Sequence, residues 1–284
     1  MKTFNAGKAT VHVLKLADLR FRLADELKVD ERDWRSKYGN LFEQATLIPS
    51  NAIYIKYLDL SIIVDPNDFS VSCPPDSEYF PYPDYKAPPD LLSQLTGISV
   101  RPEEINHVVI THAHHDHFAG VTRLKGGKYA PTFPNAKYYL GAGDWESDEM
   151  KESLRNGGSY ASKTFGVLRD YKMLEIVNGS LSLNNFVRIL PFPGESPGHQ
   201  ILEVVAQDRS FYMVGDLFHH WVEIEELGWN PTWADARQNS ASRKSLVELV
   251  LSKESIVIPA HMNPGRIRRK EGSSTEHHWE EIQQ

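Results

Sequence analysis

The stretch His107-Val108-Val109-Ile110-Thr111-His112-Ala113-His114-His115-Asp116-His117 decides how the rest of this chain is read. Its first four residues have the composition of a buried strand, and the polar half follows without a break. His112 and His114 are two residues apart, so both point the same way from an extended segment. Asp116 and His117 come on the next turn of chain and face a second point. One side chain reaches one metal, so four donors divided in this way predict two adjacent metal ions. Neutral imidazole nitrogen with carboxylate oxygen is a donor set that suits Zn²⁺. A chance surface cluster of histidines would have no reason to sit directly at a strand end. His115 lies between the donors and is expected to point away from them.

Working outward, strands that end in such residues recur. Upstream, a helix from Pro89 to Gly97 has Leu91, Leu92 and Leu95 on one face and leads through Arg101-Pro102-Glu103-Glu104-Ile105 to the strand. Downstream, Pro197-Gly198-His199 is a tight turn that exposes an imidazole. The strand Ser210–Val214 ends in Gly215-Asp216, and Ser255-Ile256-Val257-Ile258-Pro259-Ala260-His261 is again a strand ending in His. This ordered series resembles the metallo-β-lactamase superfamily of hydrolases over roughly residues 45–265.

The resemblance implies an α/β fold, the αβ/βα four-layer sandwich, with two β-sheets face to face, helices outside and metals at one edge. It implies that His112, His114 and His199 hold one metal, that Asp116, His117 and His261 hold the other, and that Asp216 bridges them. It further implies two Zn²⁺ per chain, with Mn²⁺, Fe²⁺ or Co²⁺ as substitutes. Asp65, closing the strand Ser61–Val64, stands where the superfamily commonly has an Asp that supports the metal-binding loop from behind. The family often carries a second Pro-Gly-His just before the third motif. Here Pro193-Gly194 is followed by Glu195, and His199 is taken as the donor.

The implied chemistry is hydrolysis. A hydroxide shared by two ions about 3.5–4 Å apart attacks the carbonyl of a lactone or ester, and Asp116 and Asp216 are catalytic through the metals. The segment from Gly215 to His219, the tryptophans after it and Asp235-x-Arg237 through Arg243 look most like the branch holding acyl-homoserine lactonases and methyl parathion hydrolase. A glyoxalase II-like thioesterase, an organophosphate hydrolase and a β-lactamase are the alternatives. The thioesterase would need a cationic site for the glutathione carboxylates. A flavodiiron-type redox protein would carry a carboxylate where this chain has His114. Many lactonases of the superfamily place a tyrosine near the metals, and none follows Asp216 closely here. His219 returns to the Asp216 side of a turn, whereas His220 falls further round. His219 is therefore the expected catalytic acid or supporting partner.

Elsewhere the pattern is less specific. Residues 9–16 read as a first strand, and 18–44 as a polar helical surface segment or a lid. Ala52–Tyr57 and Ser61–Val64 read as a hairpin. The proline- and aromatic-rich stretch 66–90 admits no regular element and is a candidate pocket wall, as are Phe218, Trp221, Trp229 and Trp233. Ala136–Leu140, Leu174–Val177, Phe186–Leu190 and Ile201–Val205 read as strands, and Asp235–Leu251 as a helix. Residues 266–284 read as a tail, with Arg266, Arg268, Arg269 and Lys270 a solvated basic run.

The 284 residues are read as one hydrolase domain, 1–284. A net charge of −7 gives no nucleic-acid footprint, and no apolar stretch is long enough for a membrane span. The expected partner is a small-molecule substrate, with no nucleic acid and no membrane, for a monomer or homodimer. Cys73 is the only cysteine, and the start lacks an apolar signal-peptide core, so a cytoplasmic location is expected.

Overall fold

The computed structural model describes residues 1–67 and 87–283. The first sheet begins with an antiparallel meander, β1 (Lys2–Ala6), β2 (Ala9–Phe21), β3 (Thr46–Tyr57) and β4 (Leu60–Val64). β5 (His107–Val109) then pairs parallel to β4. A separate hairpin of β6 (Thr122–Lys125) and β7 (Lys128–Pro131) follows. β8 (Lys137–Gly141) and β9 (Leu174–Val177) complete the first sheet, again in parallel. The second sheet takes β10 (Leu181–Ser182), β11 (Val187–Pro191), β12 (Gln200–Val205) and β13 (Ser210–Gly215) antiparallel. β14 (Ser255–Pro259) lies parallel to β13, and β15 (Gly265–Arg269) and β16 (His277–Glu281) extend the edge.

Burial explains the strand compositions. β4, β13 and β14 are buried at every position, as strands covered on both faces must be, and their sequences are correspondingly continuous in apolar residues. Val11, Ile53, Ile55, Ile62 and Val109 of the first sheet pack on Ile189, Leu202, Val204, Met213 and Ile258 of the second. The outer face of the first sheet is covered by Leu91 and Leu95 of the helix Leu91–Gly97 and by Phe165 and Leu168. Leu246, Val247 and Val250 of the helix Ala236–Leu251 cover the second. The result is the four-layer sandwich. β4, β5 and β8 run parallel in one sheet and β13 and β14 in the other, so the connections leaving their carboxyl ends gather at one edge, where open α/β sheets bind ligands.

Two expectations change. β2 does not stop near residue 16 but runs to Phe21, because β3 starts at Thr46 and pairs along its whole length past a bulge at Lys15/Ala17. The residues from 266 onward are not a tail. Arg266 and Arg268 point outward to Glu254 and Glu280, while Ile267 is buried between them. The β6–β7 hairpin had no counterpart in the sequence reading. Most of the proline-rich stretch, and with it Tyr79, Phe80, Tyr82 and Tyr85, lies outside the described residues. Among the described residues, no helix is long and apolar enough to cross a membrane.

Candidate metal centre

β5 ends at Val109, and the chain bends at Thr111 and Ala113 before a single helical turn, His115–Phe118. The bends and the turn divide the candidate donors. His112 and His114 leave the bent part with ring centroids 4.4 Å apart. Asp116 and His117 leave the turn and meet His261 from the end of β14. His261 Nε2 lies 3.2 Å from Asp116 Oδ2 and 3.2 Å from Asp216 Oδ1. Asp216, at the end of β13, also approaches His117 Nε2 at 3.1 Å and His112 Nε2 at 3.6 Å through Oδ2. Two donor clusters result, His112–His114–Glu195–Asp216 and Asp116–His117–Asp216–His261, each with its donor atoms within 4.8 Å of one another.

Six of the seven expected donors therefore fall in the two clusters. His199 does not, although its ring is 5.3 Å from that of His112. Glu195 stands in that cluster instead. The sequence reading passed over Glu195, although its departure from the family motif was visible.

The surroundings fit a metal. His199 Nδ1 donates to Phe192 O at 3.0 Å, which leaves its Nε2 as the free lone pair, and His261 Nδ1 donates to Pro49 O at 3.0 Å, which turns its Nε2 toward Asp116 and Asp216. His117 Nδ1 faces Asp65 Oδ2 at 2.9 Å, and His112 Nδ1 faces Thr111 Oγ1 at 3.1 Å. Nε2 of His112, His117 and His199 and Oδ1 of Asp216 are buried and make no hydrogen bond among the described residues. Buried polar atoms left this way are costly unless something binds them. Asp65 sits behind the loop and also accepts from Thr111 N at 2.7 Å and Thr111 Oγ1 at 2.8 Å.

Charge sorts the donors into two kinds. Burial lowers His199 to about 3 and His112 well below the ordinary imidazole value, so both are neutral at pH 7. Burial also works against charge on His117 and His261, but Asp216 and Asp116 outweigh it. They raise His117 well above its ordinary value and His261 to about 9. A metal must displace that proton from His261. The proton is held at pH 7 and already gone above pH 9, so apparent metal affinity should climb between pH 6 and 9. Proton release on loading should fall by about one per chain as pH rises through 9. Calorimetry in buffers of different ionisation enthalpy measures this, and release that stays constant from pH 7 to 10 would contradict it.

Two residues outside the clusters tie the loops together. Asp144 follows β8 and accepts from Ala113 N at 2.8 Å, Ser196 Oγ at 2.9 Å and Gly198 N at 2.7 Å, joining the loops that carry His114 and His199. Glu223 accepts from the backbone of His219 at 2.6 Å and His220 at 2.9 Å and pairs with Arg243. Close approach explains the glycines between them. A Cβ on Gly215, at φ +52°, would lie 2.5 Å from Thr111 Oγ1, and one on Gly198 would lie 2.3 Å from Asp144 N.

His219 and His220 separate as position suggested. His219 lies between Phe21 and His261, nearly parallel to both, with Nε2 3.2 Å from Asp216 Oδ2. His220 turns away; its Nδ1 accepts from Val222 N, and burial lowers it to about 4. Of the four aromatics proposed as a pocket wall, Trp233 alone lines the two cavities that meet at the candidate donors. Phe218 is core, and Trp221 and Trp229 pack with Tyr38. His115 belongs to neither donor cluster and packs on Tyr160.

Two open cavities meet at the donors, of about 770 and 790 Å³. His114, Asp116 and Trp233 border both. The first is walled by Leu19–Arg22, Asp25, Glu26, Glu43 and Ile48. The N-terminal segment is thus a wall of the site rather than a detached surface element. It is held there by Thr232 N donating to Glu26 O at 2.8 Å and Lys28 N donating to Asn230 O at 2.9 Å. The second cavity is lined by Phe118, Met150, Tyr160 and Pro197 among others.

Comparison with known proteins agrees with this geometry. Residues 81–261 match the model of the metallo-beta-lactamase superfamily. No curated protein matches the chain by sequence. Among solved structures, the hydrolase AbOPH of the beta lactamase superfamily superposes with a TM-score of 0.77 at 15% identity, over 99% of this chain and 97% of the other. AidC, described as a dizinc quorum-quenching lactonase in complex with a product, gives 0.76 at 16% identity over 100% and 97%. A probable metal-dependent hydrolase from Staphylococcus aureus gives 0.76 at 17% identity over 99% of both chains. At such identities these likenesses establish the fold.

Proposed function

Because the chain belongs to the metallo-β-lactamase superfamily, whose fold here is that of a metal-dependent hydrolase, we propose that it is a dinuclear zinc hydrolase of lactones or esters. His112, His114 and His199 serve one ion, Asp116, His117 and His261 the other, and Asp216 both. The observation that carries this reading is Asp216, one carboxylate belonging to two donor clusters at the meeting of two cavities. Zinc, when bound, supplies a water with a pKa of about 7 and polarises the carbonyl.

The cavity walls narrow the substrate class. The first carries Asp25, Glu26 and Glu43 against Arg20 and Arg22, and Arg22 is paired with Asp25 at 2.5 Å. Among the described residues, three carboxylates against two guanidiniums make this wall net acidic, which disfavours the two carboxylates of glutathione and a nucleic-acid backbone. A neutral lactone or ester suits the site, and Leu19, Phe21, Ile48 and Trp233 offer apolar surface to an acyl chain. The likeness to AidC supports the same class.

Cleavage expels an alkoxide that needs a proton. His219 borders the first cavity with Nε2 3.2 Å from Asp216 Oδ2, which places an imidazole beside the site to serve as the acid. His219→Ala should lower kcat about 10²–10⁴-fold on alkyl lactones and little on nitrophenyl esters, whose leaving group needs no acid. Equal losses on both, with metal content intact, would remove the acid role. The substrate class is tested by assaying zinc-loaded protein on N-acyl homoserine lactones, thioesters, organophosphates and β-lactams. Lactones should be turned over fastest. A higher kcat/KM on thioesters or β-lactams would overturn the assignment.

A further inference from the structure

Glu195 is not used by the reading above, and its setting is hard to explain as packing. It is 2% exposed, at the end of a turn that Gly194 closes at φ +132° against the start of the helix Ala236–Leu251. A Cβ on Gly194 would lie 2.1 Å from Asn239 N, so the backbone before Glu195 has no room to shift. Oε1 accepts from Trp233 Nε1 at 2.5 Å and lies 3.4 Å from His114 Nδ1. Oε2 is buried and makes no hydrogen bond among the described residues. A buried carboxylate oxygen without a partner is costly unless a cation or a proton meets it.

The distances suit a shared ion. Two donors bound to one divalent metal at 2.0–2.2 Å lie roughly 3.0–3.4 Å apart. The Glu195–His114 separation falls at that spacing, and Glu195 shares a donor cluster with His112, His114 and Asp216. Resting on the metal-centre reading, we infer that Glu195 is a carboxylate ligand of the ion held by His112 and His114. Counting His199, which the proposed function adds to the two imidazoles of the cluster, that half of the centre then offers three imidazoles and two carboxylates, more donors and more oxygen than a four-coordinate zinc takes. Such a set favours five- or six-coordinate ions and narrows the usual preference for Zn²⁺ over Mn²⁺.

Glu195→Gln tests this, because an amide of the same shape keeps its acceptor for Trp233 and removes the charge. Mn²⁺ binding is followed by electron paramagnetic resonance, and the coordination number by the visible absorption of the Co²⁺-loaded protein. The wild type should bind Mn²⁺ at both halves and give the weak bands of five- or six-coordinate cobalt. Glu195→Gln should bind the weaker Mn²⁺ at least about tenfold less tightly, with stronger, tetrahedral-type cobalt bands, while Zn²⁺ binding changes less. If the wild type binds two ions and both readouts are unchanged in Glu195→Gln, Glu195 is not a ligand and the metal centre stands without it. If the wild type binds no metal, the centre itself is refuted.

Discussion

Asp216→Ala should reduce kcat/KM by at least about 10³-fold and lower the metal content from two equivalents toward one. Removing a residue that merely orients a ligand typically costs 10–100-fold in metal affinity or activity. Asp216 is in both donor clusters, so its loss strips an oxygen from each half and removes the group that His219 faces. It also leaves His117 and His261 without the carboxylate that most raises their basicity. A single histidine substitution such as His199→Ala affects one half only and should cost less. Metal analysis of the two variants beside their kcat/KM makes the comparison. An Asp216→Ala protein that keeps two tightly bound ions would show that the carboxylate bridges nothing.

Arg243→Met should destabilise the fold by about 3–5 kcal/mol, because it leaves Glu223 buried without its partner. Both side chains are fully buried. The guanidinium donates through Nε to Leu217 O at 2.7 Å and through Nη1 to Trp229 O at 2.5 Å, and its remaining nitrogen holds Glu223. Arg243 and His219 pull Glu223 down to about 2 against the effect of burial, so it is ionised at neutral pH. At this size the loss corresponds to a fall in Tm of roughly 5–15 °C. Glu223→Gln combined with Arg243→Met removes both charges and should recover more than half of it, since the cost lies in the unpaired charge. A fall below about 1 kcal/mol for the single variant, measured by denaturant unfolding, would mean that Glu223 is stabilised by something else.

These two residues also show where sequence reading stops. The candidate donors are legible because each follows a strand or a tight turn: His112 after β5, Asp216 after β13 and His261 after β14, with His199, in Pro-Gly-His, outside both clusters. Strand ends are visible in one dimension. Glu223 and Arg243 are 20 positions apart and Asp144 and Ser196 are 52 apart, and nothing local announces either contact. Arg266-Ile267-Arg268 alternates as a strand does, but its charges drew it toward a solvated tail. Only its pairing between β14 and β16 makes the strand evident. β2 was cut short for a similar reason. Asp18 and Arg20 look like the start of a polar helix until β3 is placed beside them. Of the aromatic residues, composition could not separate Trp233, which faces the site, from Trp229, which packs under the N-terminal segment.

The central claim is a pair of ions sharing Asp216, and elemental analysis of zinc-titrated protein, freed of loosely held metal by gel filtration, tests it most directly. The account predicts two equivalents per chain for the wild type and one for Asp216→Ala. Saturation of the wild type at a single equivalent, whatever the zinc excess, would contradict it.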